Sequence, residues 1–143
     1  MSPRLNKEEA WAVLANAHTG ILTTLKADGT PISLPMWFVA LDERIYAVTP
    51  ERTKKVERLK RNPRVSFLVE SGTRWTELQA VHLTGHARVV ENGELRSSVR
   101  QAMDDKYAAF RTEGGERNVD GIAMAVIEVT PDERILTWDN GAR

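Results

Sequence analysis

From Arg52 to Arg64 the chain carries seven basic residues and one acidic residue, Glu57. The formal net charge of the whole chain is +0, so this excess is local. Lys54, Lys55, Arg58 and Arg61 recur at spacings of three and four, which a helix brings onto neighbouring positions. The stretch follows an extended run, Tyr46-Ala-Val-Thr49, and places Thr53 and two lysines where a helix would start. Backbone N–H groups are unpaired at a helix start and the helix dipole attracts anions, so the chemistry on offer is phosphate binding. The same pattern also fits a solvated cationic helix face. Both readings stand on these residues alone.

Other chemistries find less support. His82 and His86 are four apart in a strand pattern, about 13 Å at strand rise, too far to share a metal. His18 stands alone, and a lone histidine is usually a packed or solvent-facing residue. The chain has no Cys, which excludes disulfides, thiolate ligands and a thiol nucleophile. It has no Gly-x-Ser-x-Gly elbow, no His-Glu-x-x-His and no phosphate-cradling Walker loop. Asp104-Asp105 and Asp132-Glu133 read as solvated helix and turn residues. No side chain is assigned a catalytic or metal-binding role. Of the four Trp residues, Trp11 reads as core. Trp37, Trp75 and Trp138 lie on or beside strands, where each reads first as core. With Pro35-Met36 they could also line a flat aromatic pocket beside the basic stretch.

At 143 residues the chain is one domain's length, with 41% hydrophobic and 28% charged residues. No apolar run approaches the roughly 20 residues of a membrane span. The N-terminal stretch lacks the apolar segment of a secretory signal, so a cytoplasmic protein is expected. Neutral net charge argues against a general nucleic-acid binder.

Asn6-Lys-Glu-Glu9 is a capping box, predicting a helix from Lys7 to about Ala17. Thr19 to Leu25 is a β-branched strand and Ala27-Asp-Gly29 a hairpin turn. A second strand is expected over Pro31–Leu41, with Pro35 marking an edge, a bulge or a break in pairing. Asp42-Glu-Arg44 turns into a third strand, Ile45–Thr49. The basic helix follows over Arg52–Arg61, ended by Asn62-Pro63. A fourth strand spans Arg64–Glu70. Trp75–Val90 reads as one long strand with a bulge or bend at Gly85. Glu94–Phe110 has helical periodicity. Thr112–Asp120 reads as a loop. Ile122–Val129 and Arg134–Trp138 are two strands separated by a turn at Pro131-Asp-Glu133. Seven sequential strands with short turns and three helices predict an antiparallel, mainly β fold curled into a barrel.

The order of several stretches resembles the pyridoxamine 5′-phosphate oxidase-like split β-barrel family. More narrowly it resembles the short flavin/deazaflavin oxidoreductases of actinobacteria. The stretches are Gly20-Ile-Leu-Thr-Thr-Leu25, Asp28-Gly-Thr-Pro31, Pro35-Met-Trp-Phe38, Thr53-Lys-Lys55, Leu59 to Val69, Thr84-Gly-His-Ala87 and Thr137-Trp-Asp139. The resemblance implies an FMN-binding type of split barrel, a homodimer with cofactor at its interface, and a small-molecule substrate. By position, Thr53 and Lys55 match the hydroxyl and lysine that hold the cofactor phosphate, with Thr49 and Arg52 as flanking contacts. Ser33, Leu34, Pro35, Met36 and Trp37 match the strand lining the isoalloxazine or deazaflavin ring. Trp75 and Trp138 match residues that approach from the partner subunit. The family often ends Trp-Asp-His-x-Lys; here Trp138-Asp-Asn-Gly-Ala-Arg143 offers no counterpart for that His and Lys.

These matches imply hydride transfer between bound coenzyme F420, or alternatively FMN, and a small organic substrate. F420 is favoured because the motif order resembles its branch and because Arg58, Lys60 and Arg61 could meet its acidic tail. A flavin or F420 carrier without turnover is the alternative. A haem-binding split barrel is a third reading, with His18, His82 or His86 as the axial ligand. A true pyridoxamine phosphate oxidase is disfavoured, because the chain is short and lacks the substrate-phosphate arginine and histidine motifs.

Overall fold

The computed structural model describes residues 5–111 and 122–141, so the loop expected at Thr112–Asp120 lies outside the described residues. In chain order the elements are α1 (Lys7–Asn16), β1 (Gly20–Leu25), β2 (Pro31–Met36), β3 (Val39–Leu41), β4 (Arg44–Pro50), α2 (Lys54–Arg61), β5 (Arg64–Ser71), β6 (Gln79–Val89), α3 (Gly93–Tyr107) and β7 (Met124–Asp139).

The capping box at α1 forms in full. Asn6 Oδ1 accepts from the Glu9 amide at 2.8 Å, and Glu9 Oε1 accepts from the Asn6 amide at 3.0 Å. The turn between β1 and β2 has Gly29 at φ +87°, where a side chain is disfavoured, and Asp28 accepts from the Thr30 amide.

All strand pairs are antiparallel, in one seven-stranded sheet ordered β2-β1-β5-β6-β7-β4-β3. The consecutive strands β2 and β3 therefore occupy opposite edges, joined only by Trp37 and Phe38. A link that short forces the sheet to curl until its edges approach, which makes a split β-barrel. The stretch Pro31–Leu41, expected as one strand, is thus two, parted at the seam of the barrel. Pro35 sits in β2, an edge strand paired only to β1, where its missing N–H does not break a central ladder.

The barrel interior holds Leu22, Phe38, Ile45, Phe67, Val81, Leu83 and Ile127, with Ala10 and Leu14 of α1 and Val56 and Leu59 of α2 packed into the same core. A second cluster lies under α3, where Val99, Met103 and Tyr107 cover Val39, Tyr46 and Val126. Trp11 packs against the barrel core as expected.

Two strand assignments need correction. Trp75–Glu77 is a short 3-10 turn, and β6 begins only at Gln79. The expected turn at Pro131-Asp-Glu133 does not form; β7 runs unbroken from Met124 to Asp139. Pairing of β7 with β4 ends at Val129, so Pro131 lies beyond the two-sided part of the ladder. Opposite it, β6 shifts register between Leu83 and Gly85, the bend expected at Gly85, and Gly85 pairs with Pro131. A Cβ at Gly85 would collide with the Thr130 carbonyl, so the bend requires glycine.

One buried polar group was not anticipated. Glu128 is 5% exposed on β7 and accepts from the Tyr46 hydroxyl at 2.8 Å and from Arg88 Nε at 2.7 Å. Burial alone would raise its carboxyl pKa, but the hydrogen bonds from Arg88 and Tyr46 outweigh that and hold it below the ordinary value.

Candidate functional site

The basic stretch divides by helix geometry. Val56 and Leu59 point into the core, while Lys54, Glu57, Lys60 and Arg61 are exposed. Lys55 and Arg58 fall between, on the flank that faces β1 and β2. There they line one narrow cleft with Leu22, Thr24, Ile32, Leu34, Pro35 and Met36, which encloses no space for a water-sized molecule, so a ligand would lie along its mouth. Three residues expected along the cofactor ring and the lysine expected at its phosphate thus meet in one place.

Arg58 is fixed by a 2.7 Å bond from its Nε to Thr24 Oγ1, a hydroxyl buried at 1% exposure. Lys55 is half-buried and has no hydrogen bond or ion pair among the described residues. Burial, and then the charge of Arg58, push its ammonium pKa below the ordinary value. Two cations close together with one left unpaired form a site short of an anion.

Thr53 is the N-cap of α2, yet its side chain makes no capping bond. An N-cap threonine ordinarily accepts from an amide of the first turn. Here Oγ1 is buried without a partner. An unsatisfied buried hydroxyl costs about 1–3 kcal/mol, so such groups are normally paired. A phosphate oxygen at the helix start would accept from Thr53 and from the first-turn amides, and Lys55 would neutralise it. The residues present therefore fit a phosphate-bearing cofactor.

The remaining expected residues are placed differently. Ser33 is on the exposed edge strand, with its Oγ 2.7 Å from Thr23 Oγ1. Thr49 is buried on β4, opposite Ala125, and does not line the cleft. Arg52 is exposed between β4 and α2, with no partner among the described residues. Trp37 turns toward α3 and stacks on Tyr107, with ring centres 4.3 Å apart and planes at 5°. Trp75 and Trp138 meet edge to face at 6.5 Å. β7, which carries Trp138, is separated from β1 by β5 and β6 in the sheet, so neither Trp joins the cleft of its own chain.

Nothing in the local sequence pattern marks Thr24, Ile32 or the α3 residues Lys106 and Tyr107 as neighbours of this region. Thr24 and Ile32 face one another across the β1–β2 hairpin, so its register, read from the turn, could have placed them. Arg58 was visible by its spacing from Lys55, but spacing does not say which flank of a helix faces a cleft.

The sequence profile described as pyridoxamine 5′-phosphate oxidase matches residues 7–138. The chain belongs to that family, in its split-barrel form. A conserved hypothetical protein of Mycobacterium tuberculosis is similar at 27% identity and a TM-score of 0.83, with 98% of this chain and 89% of that one covered. A FAD-binding protein of Mesorhizobium loti is similar at 20% identity and a TM-score of 0.75, with 93% and 94% covered. The haem storage protein HutZ of Vibrio cholerae is similar at 17% identity and a TM-score of 0.73, with 99% of each covered. At such identities the last two speak for the fold alone. A comparison with curated proteins finds no match.

Proposed function

We propose that this protein is an oxidoreductase that binds coenzyme F420, or alternatively FMN, and transfers hydride to or from a small organic substrate. The observation that carries this reading is the cleft itself. The unpaired buried hydroxyl of Thr53 and the unpaired Lys55 stand at the start of α2, and Leu34, Pro35 and Met36 form the adjoining apolar wall. When bound, the cofactor supplies the hydride chemistry and the protein supplies position, charge and exclusion of water. Thr53 and Lys55 hold the phosphate, and Arg58, braced by Thr24, adds a second positive charge beside it. The β2 residues shield one face of the ring from solvent. The resemblance to the actinobacterial branch, together with the exposed cations Lys60 and Arg61 on the same helix, supports F420 over FMN.

The reading includes a homodimer. Leu136 is 65% exposed, Trp75 71% and Trp138 41%, an apolar surface on β7 and before β6 that a second copy would cover. Such a partner would bring these tryptophans toward the other protomer's cleft. No helix among the described residues is long and apolar enough to cross a membrane.

Fluorescence titration of purified protein with F420 and with FMN tests the cofactor, and oxidation of the reduced cofactor with a panel of enones and quinones tests turnover. Saturable F420 binding with turnover is expected. Binding without turnover would make the protein a carrier. A Soret band on haem addition, with no binding of either redox cofactor, would overturn the reading.

A further inference from the structure

The seam of the barrel is held by side chains rather than by strand pairing. β2 ends at Met36 and β3 begins at Val39 on the opposite sheet edge, so the Phe38 peptide has no ladder to join. Its polar groups are buried and must be satisfied elsewhere. Two consecutive residues at the end of α3 do this. The Tyr107 hydroxyl accepts from the Phe38 amide at 2.9 Å, and it lies 2.8 Å from both the Phe38 and the His18 carbonyl oxygens. Lys106 Nζ donates to the Phe38 carbonyl at 2.9 Å and sits 4.1 Å above the centre of the Phe38 ring. Trp37, the other seam residue, lies flat on the Tyr107 ring. Phe38 itself is locked into the core, edge to face with Phe67 at 4.7 Å.

Both residues of the link are thus gripped from one side by α3. Pro35 and Met36, the cleft wall, immediately precede that link on a strand that pairs with a single neighbour. An edge strand is free to shift unless its end is fixed. We propose that Lys106 and Tyr107 are positioning residues, holding the Phe38 peptide so that the Pro35–Met36 wall stands at a set distance from Lys55 for the cofactor ring. This inference rests on the reading of the cleft as a cofactor site, but the grip on Phe38 can be tested apart from it.

The test uses Tyr107→Phe, Lys106→Met and Lys106→Arg in the full chain, with FMN as probe, or F420 where that is the cofactor bound. Tyr107→Phe and Lys106→Met are expected to shift the visible absorbance of the bound ring and to weaken binding about threefold to tenfold. Lys106→Arg, which can still donate to the Phe38 carbonyl, is expected to restore both. Lys55→Ala should weaken binding while leaving the spectrum of the bound ring unchanged. Variants with the wild-type spectrum and affinity, or Lys106→Arg no better than Lys106→Met, would overturn the proposal. If the wild type binds neither cofactor, the cofactor reading fails and the grip is read by amide hydrogen exchange. Faster exchange at Phe38 in Tyr107→Phe upholds the grip, and unchanged exchange refutes it.

Discussion

Lys55 and Arg58 stand one helical turn apart on the same flank of α2, and they differ in having a partner. Arg58 is braced by the buried Thr24 hydroxyl at 2.7 Å, whereas Lys55 makes no hydrogen bond or ion pair among the described residues. A braced cation beside an unpaired, half-buried one is unfavourable unless an anion joins them, which ties the local electrostatics to ligand binding.

Thr53→Val should separate a cap from a ligand contact. Losing a working N-cap costs about 0.5–2 kcal/mol of stability. Because Thr53 Oγ1 makes no capping bond and is unpaired in its buried position, the variant should unfold at or above the wild-type denaturant concentration. Its affinity for the phosphate-bearing cofactor should fall several-fold. A clear loss of stability in the ligand-free protein would assign the hydroxyl to the helix instead.

Glu128 should contribute to stability in a pH-dependent way. Its folded carboxyl is held below the ordinary 4.5 despite burial, because Arg88 and Tyr46 bond its charged form. A lowered folded pKa means that the contribution is present above the unfolded value and is lost as pH falls through the folded one. Glu128→Gln keeps the shape but loses the charge and should cost about 1–3 kcal/mol at pH 7. Urea denaturation at pH 7 and below pH 4 should show the gap between wild type and variant closing in acid.

Lys106 should show the same sign of pH dependence in a higher window. Burial lowers its pKa from 10.5 to about 8, so between these values the unfolded chain binds more protons than the folded one. Stability contributed through this group therefore rises with pH across that window. Between about pH 8 and 10, wild type should gain stability relative to Lys106→Met, as read by denaturation midpoints at each pH. A constant difference would mean the ammonium is not desolvated in the folded protein.

The bend opposite Pro131 should be intolerant of side chains. Gly85→Val drives a branched side chain into the Thr130 backbone, so destabilisation of at least about 1–3 kcal/mol is expected from thermal or urea unfolding. Wild-type stability would show that β6 and β7 can separate there.

The sequence was legible where local rules decide. The Asn6–Glu9 capping box, the Gly29 turn, the Gly85 bend and the α2 helix all depend on a few neighbouring residues. The same rules placed Thr53 and two lysines at a helix start, but preferring Lys55 to Lys54 rested on the family resemblance. Pro131 misled because proline ends a strand only where both of its edges are paired, and pairing is a tertiary fact. The seam at Trp37-Phe38 was hidden for a related reason. Pro31–Leu41 reads as one extended, largely apolar run, and only the closure of the sheet sends its halves to opposite edges. The grip of Lys106 and Tyr107 on Phe38 joins residues 68 and 69 positions apart and has no local trace.

The cleft at the start of α2 is most directly tested by titrating wild-type protein and Lys55→Ala with F420 and FMN under identical salt and pH. Wild type should bind F420 saturably. Lys55→Ala should bind it at least about tenfold more weakly, the loss of one charge-assisted contact, while melting at or above the wild-type temperature. Equal affinity in the two proteins would place the phosphate elsewhere and contradict the assignment of this cleft.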